Sequence, residues 1–86
     1  MSFNIRYSKH ALKSLKLFSQ VIRRRVLERI EELQDNPFPR GTVKIHDEDN
    51  LYRLRVGDYR VLYEVYPKEG LVLIIKIDHR STVYTP

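Results

Sequence analysis

The chain has 86 residues, 42% of them hydrophobic and 31% charged, which gives room for one modest core and the composition of a folded rather than a disordered protein. With no cysteine it can build neither a disulfide framework nor a thiolate metal site, and no apolar run approaches the length that crosses a bilayer. Sixteen Lys plus Arg against eleven Asp plus Glu leave a charge of +5 and a pI near 9.7, a bias toward polyanionic partners.

Taken in chain order, Phe3, Ile5 and Tyr7 alternate with Asn4 and Arg6 as a short half-buried strand does. Met1 to Arg6 lacks the apolar run of a signal peptide, so a cytoplasmic protein is expected. Ser8 offers an N-cap for a helix over Lys9 to Phe18, in which Ala11, Leu12, Leu15 and Phe18 recur at spacings of three and four. Ser19 offers the cap of a longer helix, about Gln20 to Gln34, with Ile22, Val26, Ile30 and Leu33 along one stripe. Asp35-Asn36-Pro37 ends it. A turn-rich stretch, Phe38 to Gly41, leads to a weak edge strand at Thr42 to Ile45 and an acidic loop at His46 to Asn50.

From Leu51 the pattern becomes β-rich. Leu51 to Val56, Tyr59 to Tyr66 and Leu71 to Asp78 predict three strands, joined by Gly57-Asp58 and by Pro67 to Gly70. The order β-α-α-β-β-β-β, with short connections, predicts an α+β fold. Two N-terminal helices pack on one face of a mostly antiparallel sheet, in a single domain spanning 1–86.

The two-residue Gly57-Asp58 loop fixes a register. Val56 faces Tyr59, Leu54 faces Val61 and Tyr52 faces Tyr63, which makes one apolar face for the helices. On the other face Arg55 lies directly across from Arg60, with Arg53 two residues along, although like charges opposed in a sheet are destabilising. For the last strand the four-residue loop permits more than one register, and the expected one buries the leucines, with Leu71, Leu73, Ile75 and Ile77 alternating with Val72, Ile74, Lys76 and Asp78. A bulge at Gly70 then brings Lys76 to the arginine face, and continued alternation adds Arg80. A surface so charged repels itself unless an anion occupies it, which points to a phosphate-rich ligand. The plainer alternative is a solvated face balanced by Glu64, Asp78 or the acidic loop.

Leu51-Tyr-Arg-Leu-Arg-Val-Gly-Asp-Tyr-Arg-Val-Leu-Tyr-Glu-Val65 resembles the signature of the RelE/ParE toxin superfamily, in which Tyr-Arg/Lys-x-Arg/Lys leads through a Gly turn to Tyr-Arg. The tail His79-Arg-Ser-Thr-Val-Tyr84 is similar to the ending of that family. The resemblance implies a RelE-like toxin of a type II toxin-antitoxin system. Such a toxin is a metal-independent, ribosome-dependent endoribonuclease that cuts mRNA in the decoding site, inhibits translation and is neutralised by a cognate antitoxin. Its partners are that antitoxin and the ribosome with its message, and it takes no small-molecule cofactor.

Carried over residue by residue, Arg53 and Arg55 match two basic active-site positions that are lysines in some relatives. Arg60 matches a phosphate-binding arginine, Arg80 the arginine of the tail, and Tyr84 a tyrosine that stacks on a base or assists proton transfer. Lys76 joins the RNA-binding set with Arg53, Arg55, Arg60 and Arg80 through the register alone.

Guanidinium binds phosphate bidentately but stays charged at physiological pH, so arginine makes a poor general base. Proton transfer then falls to His79, next to Arg80, or to Tyr84, or the rate rests on electrostatics and positioning. A structural histidine at a strand end is the competing reading of His79. His10 and His46 lack ligand-like spacing, so no metal site is expected. Tyr7, Tyr52, Tyr59 and Tyr63 fall on core-facing positions. The rival readings are a gyrase inhibitor of the ParE branch and a non-catalytic RNA-binding module. Membrane binding is disfavoured because Glu28, Glu31 and Glu32 interrupt the basic residues of the longer helix.

Overall fold

The computed structural model describes residues 2–46 and 48–79. Its elements are β1 (Asn4–Tyr7), α1 (Lys9–Leu17), α2 (Gln20–Glu32), β2 (Thr42–Lys44), β3 (Leu51–Val56), β4 (Tyr59–Tyr66) and β5 (Leu71–His79), in the expected order. Both helices start at serine caps. The Ser8 hydroxyl accepts from the Ala11 amide at 3.0 Å, and that of Ser19 from the Ile22 amide at 3.3 Å. The end of α1 is closed by Arg23 of α2, whose guanidinium donates to the Leu15 carbonyl at 2.8 Å and the Phe18 carbonyl at 2.9 Å. Beyond α2 the Asn36 carboxamide oxygen accepts from the Phe38 amide at 3.0 Å, and Pro37 prevents the helix from continuing.

The strands form a five-stranded sheet in the order β1-β5-β4-β3-β2. β2 to β5 are the antiparallel meander the short connections imply. β1 instead lies parallel to β5, because both helices follow it and no hairpin ties it to a sequence neighbour. Gly57, at φ 59°, lets the two-residue turn close, and the β3–β4 register is as the loop length requires: Arg55 opposite Arg60, Leu54 opposite Val61, Tyr52 opposite Tyr63.

The last strand departs from expectation. Val72, Ile74 and Ile77 are buried, while Leu71, Leu73 and Ile75 are only half-buried. Gly70, at φ 62°, does not form a bulge; it ends a 3-10 turn over Pro67–Glu69. The bulge falls farther on, where Tyr63 pairs with Ile74 but Leu62 pairs with Lys76, leaving Ile75 as the extra residue. The turn starts β5 in the phase that sends Val72 and Ile74 inward. Lys76 cannot follow that phase into an apolar core, so the phase changes before it.

The helical layer closes one face of the sheet. Ala11, Leu15, Val26, Ile30 and Leu33 pack on Leu54, Val56, Val61, Tyr63, Val65, Val72, Ile74 and Ile77. Ile22, Phe18, Tyr7, Tyr52 and Tyr59 border this core, as their periodicity predicts. Leu12 does not join it and stays 47% exposed on the flank of α1. Tyr63 is fully buried, and its hydroxyl donates to the Pro37 carbonyl at 2.7 Å, so burying the ring leaves no polar atom unsatisfied. No helix of the described residues is long and apolar enough to cross a membrane.

Candidate functional site

The uncovered face of the sheet carries the residues that alternate with the core. β3 contributes Leu51, Arg53 and Arg55; β4 contributes Arg60, Leu62 and Glu64; β5, past its bulge, contributes Lys76 and Asp78. Between them lies a cleft of about 380 Å³ lined by Ile45, Leu51, Arg53, Arg60, Leu62, Lys76 and Asp78. Its floor is aliphatic and its rim cationic.

The cations are unevenly compensated. Arg55 and Arg60 are direct cross-strand partners, and Arg53 and Arg55 make no ion pair among the described residues. Asp78 stands opposite Arg60 in the ladder and holds the Lys76 ammonium at 3.4 Å. Glu64, on the same face, is not part of the cleft lining: it accepts from the Tyr66 hydroxyl at 2.7 Å, and that bond raises the tyrosine above its ordinary pKa. Two arginines of α2 contrast with these. Arg23 caps α1, while Arg29 donates to the Arg40 carbonyl at 2.8 Å and pairs with Glu32.

The structure thus brings Arg53, Arg60 and Lys76 into one cleft. Arg55 stands just outside the lining, its Nε 3.4 Å from the Gly57 carbonyl oxygen. His79 is not brought to them. Alternation past the bulge sends Lys76 and Asp78 to the open face but Ile77 and His79 to the helix face, where the His79 ring meets Tyr59 edge-on at 4.9 Å. Tyr59 in turn meets Phe18 at 5.0 Å, so His79 extends an aromatic ladder instead of facing the cleft. Its place next to Arg80 in sequence therefore does not bring His79 to the arginine face. Arg80 and Tyr84 lie outside the described residues.

Sequence reasoning missed the floor. Leu51 and Leu62 occupy open-face positions of the register it derived, opposite Glu64 and Arg53, so the signal was present once the pairing was known. Ile45 follows the edge strand, and its amide donates to the Leu51 carbonyl at 2.9 Å. Chemically, guanidinium groups over an aliphatic floor suit a ligand with phosphate oxygens and a planar apolar body. Among the described residues no group of three His, Asp or Glu side chains is placed to hold a metal ion.

Comparison with known proteins agrees with this fold. The sequence model described as the ParE toxin of type II toxin-antitoxin systems, parDE, matches residues 5–84. The RelE1 protein of Methanocaldococcus jannaschii is 33% identical over 87 residues, covering 98% of this chain and 97% of that protein. In the RelE–RelB complex of Pyrococcus horikoshii, a chain 32% identical superposes with a TM-score of 0.84, covering 96% of this chain and all of that one. The RelB–RelE antitoxin-toxin complex of Methanococcus jannaschii gives 30% identity and a TM-score of 0.75 over 92% of this chain and 94% of the other.

Proposed function

This chain belongs to the RelE/ParE superfamily of toxins from type II toxin-antitoxin systems, and on that premise we propose that it is a ribosome-dependent endoribonuclease that cuts messenger RNA in the decoding site. The observation that carries the reading is the cationic cleft: Arg53, Arg60 and Lys76 around an aliphatic floor, with Arg55 opposed to Arg60. In this reading Arg53, Arg55 and Arg60 hold the scissile phosphate and offset charge as the 2′-oxygen attacks. Arg80 and Tyr84 complete the site as a further cation and a base-stacking or proton-transferring group. His79, turned to the helix face, has a structural role. No metal or cofactor takes part, and the work is done in the cytoplasm.

The partner that restrains it is a cognate antitoxin, as in the RelE–RelB complexes that resemble it in sequence and fold. A partly apolar acidic chain that orders on docking suits a surface of this charge. The gyrase-directed reading draws on the ParE name of the matching family model, and the retained arginines of the cleft weigh against it.

The test is translation of a defined message in vitro with the protein added, followed by primer extension. Cuts confined to ribosome-occupied codons support the proposal. An intact message together with lost supercoiling by DNA gyrase would establish the other branch, and neither effect would leave a binding module.

A further inference from the structure

The irregularity in β5 decides what fills the cleft. With strict alternation from Val72 and Ile74, Lys76 would point into the core. The extra residue Ile75 turns it to the open face, beside Leu62 and Arg60. Bulges recur next to active sites because they re-aim a side chain. This one is fastened from the N-cap of α1. The Ser8 amide donates to the Ile74 carbonyl at 2.8 Å and the Ser8 hydroxyl donates to the Ile75 carbonyl at 2.6 Å, while the same hydroxyl caps the helix.

Among the described residues the cleft therefore contains a single lysine beside guanidinium groups. Guanidinium can neutralise a phosphate but cannot deliver a proton, whereas an ammonium can do both. Cleavage without a metal leaves a 5′-oxygen that must be protonated as it departs. We infer that Lys76 is the general acid of the cleft and that Asp78, 3.4 Å from its ammonium, is the positioning residue that aims it. The inference rests on the nuclease reading above.

In the step, the 2′-oxygen attacks phosphorus and its proton passes to a water molecule. The bond from phosphorus to the 5′-oxygen breaks, and the proton of Lys76 Nζ moves to that oxygen. A 2′,3′-cyclic phosphate and a 5′-hydroxyl result. The neutral amine recovers its proton from the hydronium formed at attack. Arg53 and Arg60 hold the phosphate oxygens throughout.

The experiment uses ribosome-bound messages that carry, at the mapped cut, either an ordinary phosphodiester or one with sulfur in place of the bridging 5′-oxygen. The sulfur leaves without being protonated. Lys76→Arg, which keeps the charge, should cut the ordinary link about 100-fold or more slowly, the range a positioned acid supplies, and cut the sulfur link at nearly the wild-type rate. Asp78→Asn should show a smaller loss with the same recovery, a pattern that a merely structural role would not give. Lys76→Arg cutting the ordinary link as fast as wild type, or failing equally on both links, overturns the assignment while leaving the nuclease reading intact. Wild-type protein that cuts neither message overturns both.

Discussion

On the helix-covered face of the sheet, nearly every side chain has a packing partner, and the polar atoms taken inside are bonded, as Tyr63 is to Pro37. On the open face the same strands set Arg55 against Arg60 and leave leucines beneath a rim of cations. The first arrangement lowers the free energy of the fold, and the second raises it. A face that works against stability in so small a domain marks where selection acted for something other than folding. Two arginines of α2, Arg23 in a helix cap and Arg29 in an ion pair, show that arginine in this chain is not always used that way.

Substitutions on the two faces should therefore separate stability from activity. The largest effect is expected in the core: Leu54→Ala should cost about 2–5 kcal/mol in urea unfolding, with cutting per folded molecule unchanged. Tyr63→Phe should cost roughly 1–2 kcal/mol, since the Pro37 carbonyl loses its donor. It should also blunt alkaline unfolding. Burial raises the Tyr63 hydroxyl above its ordinary value of 10.0, so its contribution is full below that pH and is lost as pH climbs through the higher folded value. A titration of stability from neutral to strongly alkaline pH, wild type beside Tyr63→Phe, checks the sign.

On the open face the sign reverses. Arg55→Thr should raise the unfolding midpoint by roughly a few tenths of a kcal/mol as the opposed pair is removed, while weakening RNA cleavage. A fall in stability would break the contrast between the faces. The smallest effect on activity is expected for His79→Gln, which should lose about 0.5–1 kcal/mol of ring packing against Tyr59 and keep its cutting rate. A loss of about 100-fold would return His79 to the chemistry.

Most of the fold was legible because its signals are local: serine caps, a two-residue Gly57-Asp58 turn and apolar periodicity. That turn alone placed Arg53, Arg55 and Arg60 on one face, so the core of the candidate site could be read without a structure. The phase of β5 could not. It depends on the 3-10 turn at Pro67–Glu69 and on a bulge fastened by Ser8, which is 67 residues away in sequence. Lys76 was expected on the right face through a bulge in the wrong place, and His79 was grouped with Arg80 by adjacency where alternation separates it from the cleft. The parallel pairing of β1 was hidden for a similar reason, since its partner is the last strand.

The most direct test of the central claim is to measure, on one preparation of Arg60→Ala, both the unfolding midpoint and the rate of message cutting on translating ribosomes. The account predicts a midpoint within about 0.5 kcal/mol of wild type and cutting reduced by about 100-fold or more, the loss expected when a charge-stabilising group is removed. A lowered midpoint with cutting retained would contradict it and make the cationic face part of the scaffold.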